Sequence, residues 1–348
     1  MRVERRETPS AWLALGAPFA AIALALLACT PLIMWHGSPV LEAYGLLLKG
    51  TLGSRGAATE TLTRATPLVL TGLAAAVAFR ARLWNIGAEG QLYLGAAAAA
   101  AVGAGAIAAP PWILIPLVLT IGVAAGALWL IGPALLKTRL GVDEVVTTLL
   151  LNFVMLLFIS MMIEGPMKDP LGFGWPQSAP VLDEAALPKI VPKSRLHLGF
   201  VIAVVAAVVF WLIDTRTRWG FEARAVGSNP AAARFAGMTV QTVMIRVAIL
   251  SGGLAGLAGA CEVTGLRGYL ALDLSPGFGY AGIVVAMLAQ LHPLGVIGAA
   301  VFVAGVFVGA DAMGRTLGVP GFIADVIVAA SLMCMLLAMF AARYRIRR

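Results

Sequence analysis

The stretch GFEARAVGSNPAAARFAGM, residues 220–238, sets a charged, glycine-bounded segment between two long apolar runs. Its grammar is that of a short helix. Ser228 or Asn229 can cap the start, Pro230 suits the first helical position, residues 231–235 are good or tolerable helix formers, and Gly237 can take the left-handed conformation that ends the helix. At 1.5 Å per residue such a helix is only about 10 Å long, and one that short is marginal alone in water. Either the apolar segments above it or a partner below must hold it. An ordinary loop made basic for topological reasons is the simpler alternative.

On both sides of this island the chain is overwhelmingly apolar. Hydrophobic residues make up 60% of the 348 and charged residues 12%, with a mean hydropathy of +0.93. That leaves too little polar surface to clothe a soluble globule. Apolar runs long enough to cross a hydrocarbon core of roughly 30 Å recur along the chain, separated by short polar or Pro/Gly-marked breaks. The pattern predicts an all-α integral membrane protein, one domain over residues 1–348, with about ten transmembrane helices. They fall at 11–34, 63–79, 90–108, 112–131, 145–163, 197–213, 243–262, 281–291, 294–310 and 321–341. The basic start MRVERRE could head a signal peptide, but the apolar run after it is too long and further spans follow, so it is read as a retained helix.

Placing both termini in the cytoplasm puts 16 of the 25 Lys and Arg residues there, among them Arg80, Arg82, Lys137, Arg224, Arg234 and the C-terminal arginines. That excess follows the positive-inside rule, so the net charge of +8 reports topology and does not point to nucleic acid. Residues 215–240 then form a cytoplasmic loop that holds the short helix, and the proline-rich segment 164–196 forms an external loop.

Chemistry of other kinds is not written here. Cys29, Cys261 and Cys334 sit in apolar runs without CxxC or Cys/His spacing, and His36, His197 and His292 are scattered near span ends. No paired carboxylates or Ser/His/Asp set supports an enzyme, and no metal site is implied. A phosphate-binding helix start is disfavoured because GxxxxGK[ST] is absent from the sequence. If ATP is used, another chain binds it.

The segment 220–238 resembles the coupling segment of permease subunits in the ribose/branched-chain-type family of bacterial ABC importers. FRARLWNIGAEGQLYLGA, residues 79–96, resembles the signature of a narrower group, the nucleoside-type (simple-sugar) permeases, and VDEVVTTLLLN (142–152) and GFGYAGIVVAMLAQLHPLG (277–295) extend the resemblance over essentially the whole chain. The resemblance implies a type II ABC importer fold with two pseudo-repeated halves, in the bacterial plasma membrane. It implies two permeases, usually different, with this chain the larger. Two ATPase subunits would hold ATP and Mg, leaving this chain without a cofactor, and an extracytoplasmic lipoprotein would deliver nucleosides. The short helix would be the coupling helix, with Arg224, Gly227, Asn229, Pro230, Ala233, Arg234 and Gly237 as the ATPase-coupling set and Ala233 packed in the ATPase groove.

Candidate substrate-path residues follow from polar groups in apolar context. Asn85, Glu89 and Gln91 lie in a glycine-broken segment that reads either as a cytoplasmic turn or as an unwound helix bordering the path. A faint echo between residues 87–90 and 279–282 suggests the two halves and adds Phe278 and Tyr280 as rings against which a base or sugar could stack. Asn152, a lone amide in the fifth span, fits the path or a helix-to-helix hydrogen bond equally. Gln290 is a departure, because the family commonly shows a Gly-Arg-Asn-Pro turn where this chain has Ala289, Gln290, Leu291, His292 and Pro293. Asp311 and Asp325 match no family motif. An ion-driven secondary transporter using Glu89 or Asp325 is the alternative class, although it gives no reason for a capped basic helix on the cytosolic face.

Overall fold

Start and stop signals in the sequence place most of the helices. In the computed structural model, which describes residues 2–5 and 11–347, these are α1 (Ala11–Trp35), α2 (Val40–Leu52), α3 (Arg55–Arg80), α4 (Ala88–Ala101), α5 (Pro111–Leu140), α6 (Glu144–Glu164), α7 (Gly199–Arg216), α8 (Arg218–Ser228), α9 (Pro230–Phe235), α10 (Val240–Glu262), α11 (Phe278–Leu288), α12 (Pro293–Leu317) and α13 (Ile323–Arg343). Ser54 and Asp143 cap α3 and α6 by accepting from Ala57 N at 3.0 Å and Val145 N at 2.7 Å. Proline begins α5, α9 and α12, and left-handed glycines, Gly141 and Gly318, end α5 and α12. α4 and α10 each run on into a single π-helical turn, Val102–Ala106 and Val263–Arg267. Arg2–Arg5 (β1) pairs antiparallel with Tyr344–Arg347 (β2), which brings the two ends of the chain to the same end of the bundle.

Among the described residues six helices are long and apolar enough to cross a membrane: α3, α5, α6, α7, α10 with its π turn, and α12. Shorter apolar stretches lie in α1, α11 and α13. The ten predicted spans each coincide with a helix, and the structure adds one the periodicity did not predict, α2, which packs on α12. α8 is likewise helical where the sequence predicted loop.

The helices differ sharply in what surrounds them. α3 is enclosed by α7, α10, α11 and α12, and 89% of its apolar stretch is buried, against 28% for α6 and for α7. α6 turns Val146, Leu150, Phe153, Leu157 and Met161 outward in one stripe at helical spacing, an apolar face for lipid or another apolar subunit.

The tightest packing joins α10 to α4 and α5 through small residues. A Cβ on Gly256 would overlap the carbonyl oxygen of Gly122, one on Gly126 that of Gly252, and one on Gly259 that of Leu92. Backbones this close need glycine at the contact. With no hydrophobic force between helices in lipid, such close van der Waals fit is what holds them together. The spacing of Gly252 and Gly256 on α10, and of Gly122 and Gly126 on α5, is the small-xxx-small pattern that brings two helices into this contact.

The segment 164–196 folds down over the bundle end opposite α9. Ser178 N donates to Leu270 O, Val181 N to Gly268 O, Leu187 N to Thr264 O and Leu182 N to Gly103 O, so the loop is stitched to both π turns.

Overpacking the glycine contact tests this arrangement. Gly256→Val should cost about 1–3 kcal/mol or more, read as a lower melting temperature and poor monodisperse recovery in detergent. Gly132→Val in α5, where an added Cβ meets nothing within 4 Å, should behave as wild type.

Candidate functional site

Two features combine to make the candidate site: a junction inside the bundle and a basic platform at one end. The platform fixes the depth scale. Arg80, the last residue of α3, donates from Nε to Leu291 O at 3.1 Å and from Nη2 at 2.8 Å, and its Nη1 pairs with Asp214 near the end of α7. Lys137, in the last turn of α5, pairs with Glu144 at the start of α6 and donates to Arg82 O at 2.8 Å. The ends of α3, α5 and α7, the start of α6 and the α11–α12 turn therefore share this end of the bundle.

From Arg82 the chain does not turn away but re-enters the bundle along α6. Glu144, Thr148 and Asn152 stand four residues apart on one face of α6 and supply a ladder of partners. Glu144 Oε1 accepts from Trp84 N at 3.1 Å, Thr148 Oγ1 from Ile86 N at 3.2 Å and Asn152 Oδ1 from Gly90 N at 2.9 Å, while Asn152 Nδ2 donates to Ile86 O at 2.9 Å. Eight helical residues separate Glu144 from Asn152, so α4 begins about 12 Å inside the bundle.

The polar residues of NIGAEGQ are consumed in this entry. Asn85 and Gln91 exchange two amide hydrogen bonds of 2.9 Å, Asn85 also donates to Ser251 Oγ at 3.0 Å, and Asn85 Oδ1 accepts from Gly87 N. Asn85 is 0%, Gln91 1% and Asn152 0% exposed, so these amides satisfy the unwound backbone and one another. The segment is neither a solvated turn nor an open wall.

α11 starts at the same depth from the other direction. Its first N–H groups are bonded by Ser275 Oγ, which accepts from Phe278 N at 2.8 Å, and by Glu89 Oε2, which accepts from Gly279 N at 2.6 Å. Glu89 thus caps α11 while standing in the first turn of α4, so the positive ends of two helix dipoles converge on one carboxylate. The two segments linked by the faint sequence echo are in direct contact here, where a Cβ on Gly279 would overlap Glu89 N. Tyr280, 38% exposed, receives Asn152 Nδ2 at its hydroxyl at 3.0 Å. Phe278 is buried and faces a polar cavity toward the opposite end of the bundle. Gln290 lies a full helix away, in the turn beside Arg80, where Gln290 and Leu291 adopt φ of +50° and +61°. Asp311 pairs with Arg64 at 2.7 Å, and Asp325 is exposed in the first turn of α13.

The second feature is α8–α9. Asn229 is the cap, its Oδ1 accepting from Ala231 N at 3.0 Å and Ala232 N at 3.1 Å, with Pro230 first in the helix and Gly237 left-handed beyond it. The coupling set divides into two roles. Arg224 Nη1 pairs with Asp214 Oδ1 at 2.9 Å, and a Cβ on Gly227 would overlap Arg80 O, so both hold α8 against the ends of α7 and α3. Ala233 is 4% exposed and packed on its own chain. This corrects the sequence expectation that it enters a partner's groove, because the buried face of so short a helix must rest on its own spans. Arg234 and Phe235 face outward instead, with Phe235 96% exposed, and sequence reasoning missed this phenylalanine. Nothing in the local pattern of residues 230–235 marks which side of so short a helix turns outward. Among the described residues no group of three or more His, Cys, Asp or Glu is placed to hold a metal ion.

The sequence of the chain matches known proteins. The family model described as "Branched-chain amino acid transport system / permease component" matches residues 57–342. The chain is 38% identical to the glucose ABC transporter permease protein TsgB13 of Haloferax volcanii, over 99% of this chain and 93% of that one. It is 38% identical to the guanosine ABC transporter permease protein NupP of Bacillus subtilis, over 90% of each, and 32% identical to the nucleoside ABC transporter permease protein NupB of Lactococcus lactis, over 90% of this chain and 88% of that one. No solved structure matches the chain.

Removing the acceptor at the junction should be felt directly. Glu89→Ala leaves Gly279 N buried without a partner, a cost of about 1–3 kcal/mol that thermal unfolding in detergent would report. Glu89→Gln keeps an acceptor oxygen and should lose less.

Proposed function

The chain belongs to the family of branched-chain amino acid transport system permease components, and on that premise we propose that it is the membrane subunit of an ATP-driven importer of nucleosides or a related sugar-containing solute. In this reading it crosses the membrane about ten times, with both termini and α9 in the cytoplasm, and the segments at 87–90 and 279–282 belong to two related halves. It pairs with a second permease, docks on two ATPase subunits that hold ATP and Mg, and receives solute from an extracytoplasmic lipoprotein over the 164–196 loop. Membership of an ABC transporter permease family leaves the ion-driven alternative without support.

The observation that carries the reading is the mechanical continuity of α9 with the interior. α9 presents Phe235 and Arg234 outward, and α8 is clamped through Arg224 and Gly227 to Asp214 and Arg80. Arg80 in turn holds the turn at Leu291, from which α11 runs up to the junction with Glu89. A push on α9 thus reaches the interior through packed helices and charge-assisted bonds, a rigid route of the kind that coupling requires. An exposed phenylalanine beside an arginine is the composition of an interface anchor.

In proteoliposomes holding the complete transporter, Phe235→Ala and Arg234→Glu should lower ATP-driven uptake of guanosine at least several-fold and weaken co-purification of the ATPase, while the two permeases still assemble. Ala233→Trp should instead reduce the stability of the isolated chain. Full uptake in both α9 variants that an uncoupler abolishes would sink the importer reading.

A further inference from the structure

Toward the end of the bundle opposite α9 lies a cavity of about 380 Å³ between α3, α10, α11 and α12. Its wall carries Glu60 and Arg64 from α3, Glu262 from α10, Arg267 and Asp273 from the segment after it, Arg195 from the long loop, Asp311 and Phe307 from α12, and Phe278 from α11. Most of these charges are already matched. Arg64 holds Asp311 at 2.7 Å, Arg195 holds Glu60 at 3.2 Å, and Arg267 holds Asp273 at 3.2 Å. Glu262 is different. It is 2% exposed, ends α10 just before the π turn, and its Oε2 has no hydrogen-bond partner.

A buried carboxylate oxygen without a donor is costly unless something supplies one, and orphans of this kind belong to sites that are completed by a ligand. Within a cavity that it lines, that something is cargo. The remaining wall says which chemistry fits. Three acids and the three arginines of the wall pair off, and the carboxyl left over is that of Glu262, so the unmatched group in the cavity is a single hydrogen-bonding carboxyl. Acceptors and donors stand side by side, as a hydroxyl needs because it both gives and takes a hydrogen bond. Phe278 and Phe307 add flat apolar faces for the carbon side of a ring.

We propose that Glu262 is a substrate-binding residue, its carboxyl hydrogen-bonding a hydroxyl of a polyhydroxylated ring held between Phe278 and Phe307, with Arg267 donating beside it. The site rests on the importer reading and specifies where its cargo is first held by this chain. It lies beyond the Glu89–Gly279 junction, on the side from which a delivered solute enters. Glu262 escapes sequence reasoning because a single carboxylate at the end of an apolar span reads as a membrane-boundary residue.

The test uses the complete transporter in proteoliposomes, with tritiated guanosine, its 2′-deoxy and 3′-deoxy analogues, and D-glucose as probes at saturating delivery protein. Glu262→Gln, which keeps one acceptor oxygen but is no longer a carboxyl, should lower the maximal uptake of the transported probe several-fold. For one of the two deoxy analogues the variant should lose nothing further, because carboxylate and hydroxyl act as one contact. Wild-type uptake by Glu262→Gln, or losses that multiply independently for both analogues, would overturn the site. If Glu262→Gln fails to assemble, Arg267→Gln on the exposed segment takes its place in the same cycle and is read in the same way. Failure of the importer reading is separate, since the wild-type transporter would then carry none of the probes on ATP.

Discussion

Two helices of this bundle begin in its interior, and a helix start leaves N–H groups without intrahelical partners. In a lipid setting no water reaches them, so each must find an oxygen on a side chain. That requirement organises the centre of the molecule. Asn85, Thr148 and Asn152 serve α4, Ser275 and Glu89 serve α11, and Glu89 belongs to the first turn of the helix it does not cap. Each interior start is thus completed by its surroundings or by the other, and neither α4 nor α11 can shift far without uncovering peptide groups in an apolar medium.

The basic end is built on the same economy. Asp214 accepts Arg80 and Arg224 together, and Arg80 spends two further donors on the carbonyl of Leu291, in a turn held by two non-glycine residues at positive φ. One carboxylate and two guanidinium groups therefore tie four elements, α3, α7, α8 and the α11–α12 turn. Buried ion pairs of this kind add little to net stability, but removing one partner strands the other charge. Their value lies in fixing geometry between parts that must move as one.

What the sequence disclosed was local. The cap, proline and glycine of α9 are set by neighbours within a few residues, and Asn229, Pro230 and Gly237 take the places their chemistry assigns. The facing of Ala233 and the engagement of Arg224 were hidden because the first depends on how α9 lies on the rest of the chain and the second on where the end of α7 brings Asp214. Residues 85–91 looked the same from sequence whether turn or unwound helix. The deciding signal was the spacing of Glu144, Thr148 and Asn152, which has meaning only once α6 is known to lie alongside. α2 escaped because Glu42, Lys49 and two glycines dilute its apolar pattern.

The near-complete enclosure of α3 bears on how the chain is made. Its mean hydropathy, 1.5, is the lowest of the six long apolar helices, and it carries threonines whose hydroxyls need partners. Thr71 finds one at Phe278 O, 207 residues further along the chain. During synthesis α3 therefore leaves the ribosome long before the helices that will surround it, and it suits lipid less well than α5 or α6. A nascent helix of that kind lingers at the insertion machinery or against another protein until α10, α11 and α12 arrive. The order of emergence, and not only the final packing, then sets how much of this chain reaches the membrane intact.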